Sequence, residues 1–222
     1  VTLYRDLTYD LAKDFAPVSL VATLPYTLVC HPALAATSIK ALVQAAREKP
    51  GQLNYSSAGS GTGTHLAMEM FKTAAGVNFV HVPYKASAPA GTDLLAGQVQ
   101  LMFEQMYSAL PSIQSGKVRP LAVTAAKRNS LLPQVPTMAE QGFPEVEVLN
   151  WQGLVGPKGL PADLIATLGN ACNKALTDAD IREKITSQGN EVMGGTPEQF
   201  AAYIKSQGEK YRQIIKDIGY TG

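Results

Sequence analysis

The sequence predicts an α/β protein. Three features carry that reading: short apolar, often valine-rich runs recur along the chain, segments with apolar residues at helical spacing lie between them, and Gly, Pro or a capping hydroxyl marks the junctions. Such runs suit strands buried on both faces of a sheet. They are expected over residues 17–22, 26–30, 53–57, 79–82, 99–103, 121–124 and 146–155.

The helices follow from their starts, stripes and stops. Thr37 is placed to cap a helix carrying Ile39, Leu42, Val43 and Ala46, which Pro50 and Gly51 end. Leu66, Met70 and Ala74, flanked by Ala67 and Phe71, form a second stripe that stops at Gly76. Pro161 suits the first turn of a third helix, whose stripe is Leu164, Ile165, Leu168, Cys172 and Leu176. Thr177 is placed to cap the next, closing near Gly189. Thr196, Pro197 and Gln199 read as a capping box with proline at the first helical position. That box opens a final helix carrying Phe200, Ile204, Tyr211, Ile215 and Ile218. Between residues 26 and 145 strands and helices alternate closely, as in a parallel sheet, whereas the chain after Trp151 is nearly all helix. Two regions result, joined by a candidate crossing strand around Trp151.

Charge narrows the function. The 222 residues carry 19 basic and 18 acidic side chains, a formal net charge of +1, and only 17% charged residues against 45% hydrophobic ones. That balance argues against disorder and against a nucleic acid partner. No run approaches the roughly 18 apolar residues of a membrane-spanning helix. Cys30 and Cys172 are too few for a disulfide scaffold and lack the spacing of a zinc site. Cys172, on its helical stripe, reads as a core thiol.

The richest local signal is the stretch from Ser56 to His65, which leads from a strand into a helix. A turn of this kind presents free backbone N–H groups at a helix N-terminus, where the peptide dipoles favour negative charge. Gly59, Gly61 and Gly63 permit close approach, and Ser57, Ser60, Thr62 and Thr64 add hydroxyls. The ligand expected is an anion, a carboxylate or a phosphate; a glycine turn that only caps its helix is the bland alternative. Known nucleotide motifs do not fit. The dinucleotide fingerprint counted from Gly59 needs glycine at Thr64 and an acid about 20 residues on, where Tyr84 and Lys85 stand. A P-loop needs a lysine in the turn. No Gly-x-Ser-x-Gly elbow supports Ser57 or Ser60 as a nucleophile beside His65, which reads instead as a first-turn residue donating to backbone or ligand. His31 and His81 have no partner at metal-ligand spacing.

Two further segments end strands. Val82 to Ala90 includes Tyr84 and Lys85, and Phe103 is followed by Glu104 and Gln105. In a parallel sheet the carboxyl ends share one edge, so all three loops are expected to face one crevice. For Lys85 and Glu104 a solvated pair at the sheet edge stands level with a ligand role.

Taken in order, these residues resemble a known family. The matching segments are Asp14 to Val18, Gly59 to Gly61 with His65 and Leu66, Val82 to Lys85, Asp93 to Val99, Leu121 to Thr124, Val135 to Thr137 with Glu140 and Gly142, and Trp151 to Gly153 with Pro157 and Pro161. The chain is similar over essentially its whole length to the Bug/TctC family, the extracytoplasmic solute receptors of tripartite tricarboxylate transporters in Gram-negative bacteria. The resemblance implies an α/β fold of the type II periplasmic-binding-protein kind, with two lobes and a cleft between them. Residues 26–145 would form the second lobe, and residues 1–25 and 146–222 the remaining part of the first together with the crossing strands. Members have a signal peptide and two βα units before the segment that matches Val1 to Asp14, so the first lobe is expected to be truncated at its N-terminus. Ala86 departs from the glycine that many members have there, which stiffens that loop slightly.

The implied function is capture of a small carboxylate in the periplasm and its delivery to membrane transporter subunits, with no catalysis, cofactor or metal. Members take di- or tricarboxylates, acidic amino acids, nicotinate-like compounds or aromatic acids. Ser57, Gly59, Ser60, Gly61, Thr62, Thr64 and His65 would hold the carboxylate, and Tyr84, Lys85, Glu104 and Gln105 the rest of the solute. An α/β hydrolase or transferase acting on a small carboxylic acid is the alternative function, and a homodimer is the alternative assembly of a shortened chain.

Overall fold

The structure, a computed structural model, describes residues 8–220; the outermost parts of the two flanks assigned above, residues 1–7 and 221–222, lie outside the described residues. In chain order the first elements are α1 (Leu11–Asp14), β1 (Phe15–Cys30), α2 (Ile39–Glu48), β2 (Asn54–Ser57), α3 (Gly63–Ala75) and β3 (Val80–Pro83). Next come α4 (Ser87–Leu95), β4 (Leu101–Gln105), α5 (Met106–Gln114), β5 (Arg119–Val123) and a 3-10 turn at Ala139–Gln141. The last are β6 (Leu149–Pro157), α6 (Ala162–Ala175), α7 (Ala179–Thr186), β7 (Glu191–Val192) and α8 (Pro197–Asp217). The chain divides into two compact units, Pro25–Asn150 and a second one made of the segment up to Leu24 with Trp151 onward.

In the unit Pro25–Asn150 the strand order is β3-β2-β4-β1-β5. β2 pairs in parallel with β3, Ser57 opposite Pro83, and with β4, Ser56 opposite Met102. The all-parallel expectation fails at β1. This strand runs antiparallel to both neighbours, placing Tyr26 opposite Gln105 and Thr27 opposite Val123. Because β1 is one continuous 16-residue strand that arrives at the edge where β4 ends, it must run against β4. Helices cover the sheet: Met102 packs with Ala90, Leu94 and Ala109 of α4 and α5.

The face that α3 buries differs from the stripe read from sequence. Thr64, His65, Leu66, Ala67, Met68, Phe71 and Ala75 are buried, whereas Met70 is half-buried and Ala74 exposed. Phe71 sets the face, with its ring 6.1 Å from Phe79 and edge-on to Phe143 at 5.2 Å. Gly76 ends the helix in the left-handed region at φ 60, as its position suggested. Two caps move by one residue. Ser38, not Thr37, accepts from the Ala41 N–H, and Asp178, not Thr177, accepts from Asp180 and Ile181. The Asp178 carboxylate is the stronger acceptor for a helix N-terminus, and the Thr177 hydroxyl instead donates to the Lys174 carbonyl. The Thr137 and Glu140 motif serves structure: Glu140 accepts from the Thr137 N–H at 2.7 Å and binds Arg128.

In the other unit β7 pairs with β1 at Ala22 and Thr23. Trp151 packs edge-on against Phe200 and Tyr203, and the capping box of α8 has both halves, Thr196 and Gln199, in place. The expected core stripe of α6 is buried only at its end, at Leu176, with Ile165 half-buried. Leu164 and Leu168 are 42% and 38% exposed, Cys172 is half-buried, and the helix meets Val18 of β1 at the buried Gly169. Cys30 and Cys172 are both free thiols. Among the described residues no helix is long and apolar enough to cross a membrane.

Candidate ligand site at the sheet edge

Parallel pairing puts the carboxyl ends of β2, β3 and β4 on one edge, and a helix begins soon after each: α3 at Gly63, α4 at Ser87 and α5 at Met106. Three helix N-termini therefore meet one edge. None of the three has a side-chain cap, since Thr62, Ala86 and Gln105 make no capping hydrogen bond. By contrast Ser38, Asp178 and Thr196 cap α2, α7 and α8; α6 is the other long helix without a cap, its N-cap position being Pro161. An uncapped N-terminus leaves first-turn N–H groups available, with a partial positive charge of about half a unit. Such an arrangement favours an anion without needing a lysine or arginine.

The turn after β2 is held by its own side chains. Ala58 N–H donates to Thr64 Oγ1 (3.0 Å), Gly59 N–H to Ser57 Oγ (3.2 Å), Gly61 N–H to His65 Nδ1 (3.1 Å) and Thr62 N–H to the Gly59 carbonyl (3.2 Å). Gly59 and Gly61 take φ of 128° and 79°, which side chains other than glycine rarely adopt. Ser57, Thr64 and His65 are 0%, 4% and 4% exposed, so their side chains shape the turn from inside. His65 accepts from the backbone, where the sequence suggested that it donates. The N–H groups of Ser60, Gly63 and Thr64 make no hydrogen bond among the described residues, and the Ser60 side chain is exposed. Thr64→Val removes the acceptor of the part-buried Ala58 N–H, and a donor orphaned there costs about 1 to 2 kcal/mol. The expected result is a melting temperature lower by about 3 to 6 °C; an unchanged value in a thermal melt would contradict this role.

Beneath the turn lies an aromatic stack. The His81 ring sits 4.2 Å from His65 and 4.8 Å from Tyr55, and His81 Nε2 shares a 2.7 Å hydrogen bond with Ser57 Oγ. Tyr55 donates to Glu69 at 2.5 Å, and Lys72 holds the same carboxylate at 2.7 Å. Burial is the main cause that lowers His81 to about 4 and also lowers His65. Both rings are neutral near neutral pH.

The remaining residues singled out in the sequence take different places. The Tyr84 hydroxyl donates to Asp93 of α4 at 2.5 Å, which raises its phenol, while Lys85 is exposed. The Tyr84 carbonyl comes so near Gly59 that a Cβ there would stand 3.1 Å from it, so the two loops touch. Glu104 is half-buried, and burial alone pushes its carboxyl up to about 7. Gln105 hydrogen-bonds the Tyr26 hydroxyl, and burial, the largest influence, pushes that phenol up to about 12. Tyr26 was missed from sequence. It rests on Gly63, where an added Cβ would lie 2.3 Å from its Oη. Among the described residues no three His, Cys, Asp or Glu side chains gather as metal ligands would. An open groove of about 570 Å³ lined by Lys40, Arg47 and Phe143 lies away from this edge.

The sequence profile of the tripartite tricarboxylate transporter family receptors matches residues 2–220. The chain belongs to that family. It is 41% identical over 213 residues to the UPF0065 protein of the tcbD-tcbE intergenic region of Pseudomonas sp. strain P51, covering 96% of this chain and 63% of that protein. With BugT of Bordetella pertussis it shares 32% over 219 residues, 99% of this chain and 67% of the relative. Among solved structures, an R. palustris protein with adipate superposes with a TM-score of 0.91 at 34% identity, covering 98% of this chain and 73% of that one. The chain thus spans about two thirds of the length of the curated relatives it matches, and its α/β fold is that of the solved periplasmic binding protein BugD, with a TM-score of 0.89 at 34% identity over 99% of this chain and 74% of that one.

Proposed function

We propose that this chain is the solute-binding receptor of a tripartite tricarboxylate transporter, working in the periplasm to capture a small carboxylate and pass it to membrane subunits. The observation that carries the reading is the convergence of three uncapped helix N-termini on one strand edge. A carboxylate there accepts from the Ser60, Gly63 and Thr64 N–H groups, and charge-assisted bonds of this kind contribute about 1.5 to 3 kcal/mol each. Ser57, Thr64 and His65 keep the turn in shape together with the Thr62 hydroxyl, which donates to the Gly59 carbonyl at 2.6 Å; Gly59 and Gly61 give it its path, and Tyr84, Lys85, Glu104 and Gln105 face the rest of the solute. Family membership supports the reading, as does the neighbour solved with adipate, a dicarboxylate. The unit Pro25–Asn150 is taken as the second lobe of such a receptor, and the other unit as part of its first.

A receptor is stabilised by its solute through mass action, by about 2.7 kcal/mol at one hundred times Kd, and leaves it unchanged. Thermal melts against a panel of carboxylic acids are expected to show stabilisation by at least one, with the acid recovered intact by NMR. No stabilisation across the panel would remove the carboxylate reading, and consumption of the acid would make the protein an enzyme.

A further inference from the structure

The edge that attracts anions already contains one. Glu104 stands next to the last residue of β4, on the face that carries Met102, and among the described residues it has neither a hydrogen-bond nor an ion-pair partner. Its Oε1 lies where α4 offers no side chain: a Cβ on Gly91 would be 3.5 Å from it. Around it, Thr27 of β1 bonds to Met106, Tyr26 to Gln105, and Asp93 to Tyr84, so the neighbouring polar groups are occupied elsewhere. A carboxylate partly withdrawn from water without a partner is unfavourable in the empty site. It becomes favourable once a donor is brought to it.

We infer that Glu104 determines which carboxylates the site accepts: solutes that carry a hydroxyl or ammonium group some carbons away from the bound carboxylate are taken, and solutes that present a second carboxylate there are rejected. The inference rests on the carboxylate-receptor reading above and sharpens its solute class. β2 and β4 are adjacent strands, spaced about 4.8 Å apart, so the Ser60–Thr64 turn and Glu104 rise from neighbouring strand ends. One short solute spans both. While Glu104 is ionised, above a pH of about 7, a second carboxylate there meets a like charge, whereas an ammonium or hydroxyl supplies the missing donor. Among the described residues no other titratable group acts on Glu104; Tyr26, Asp93 and Tyr107 on the elements around it leave burial as the influence on its carboxyl. Its ionisation near pH 7 therefore belongs to solute binding in this range.

The test is titration calorimetry on the protein with size-matched acids: succinate and adipate against 4-aminobutyrate, 4-hydroxybutyrate, 6-aminohexanoate and 6-hydroxyhexanoate. At about pH 8, where Glu104 is ionised, the wild type is expected to bind the best amino or hydroxy acid at least tenfold more tightly than the diacid of the same length. Glu104→Gln should remove that preference while keeping the fold, and the wild-type affinity for the amino acid should rise with pH through about 7, with a flat profile in the variant. A diacid bound as tightly as its amino and hydroxy analogues, or a preference and pH profile unchanged in Glu104→Gln, would overturn the assignment of Glu104 and leave the carboxylate reading standing. Heat from none of the acids would overturn both.

Discussion

Gly63→Ala is expected to destabilise the protein by about 2 to 3 kcal/mol and to weaken carboxylate binding at least tenfold, although alanine is the better helix former. The cause is a steric conflict rather than backbone freedom. A Cβ at residue 63 would lie 2.3 Å from Tyr26 Oη and 2.9 Å from Cζ. Tyr26 cannot retreat easily, because its N–H donates to Thr124 Oγ1, its carbonyl accepts from the Thr124 N–H, and Gln105 holds its hydroxyl. The first turn of α3 would have to shift instead, carrying with it the N–H groups offered to the solute. A urea-denaturation cycle decides the cause: in a Tyr26→Leu background the cost of Gly63→Ala should fall below about 1 kcal/mol, since contacting residues couple by roughly 0.5 to 3 kcal/mol. Equal cost in both backgrounds would show that this contact is not why the position is glycine.

That pair also shows where sequence reading reaches and where it stops. The glycine-rich turn was legible because strand, turn and helix are contiguous, and the shared edge of the three loops followed from the alternation of strands and helices. The α8 capping box was legible for the same reason: its partners lie three residues apart. Tyr26 was not, because it meets Gly63 only after β1 enters the sheet antiparallel between β4 and β5, an arrangement that the regular βα alternation does not announce. Ser57 and Thr64 looked like ligand hydroxyls by composition, yet their direction depends on the turn's internal bonds. His81, an isolated histidine in a strand, acquires its partners from two other elements. The stripe of α6 misled for a different reason. The helix meets β1 at Gly169, so periodicity alone assigned Leu164 and Leu168 to a core that covers only Leu176 of the three.

The second large effect is acid sensitivity carried by that histidine pair. An exposed imidazole titrates near 6.5, and His81 is lowered to about 4. As pH falls from about 6.5 toward about 4, the unfolded chain binds protons that the native state refuses, so stability declines over that window. His65 contributes with the same sign, and with the rings 4.2 Å apart one charge opposes the other. Glu104 acts oppositely: its carboxyl, raised to about 7, takes up a proton in the native state first, which adds stability as pH falls from about 7 to about 4.5. The His81 contribution is isolated by comparing the wild type with His81→Gln, whose amide can still bond Ser57. Between about pH 7 and 4.5 the wild type should lose about 1 to 2 kcal/mol more than the variant, allowing for solvent screening of a half-exposed ring; parallel urea-denaturation curves at both pH values would refute it. Binding should respond through His65. Its Nδ1 accepts the Gly61 N–H only while unprotonated, so a proton there frees the turn that presents the solute-binding donors. Solute affinity should therefore decline in acid alongside stability. Since Glu69 and Lys72 flank that ring with opposite charges, Lys72→Met should shift the decline to higher pH by removing the cation that opposes His65 protonation.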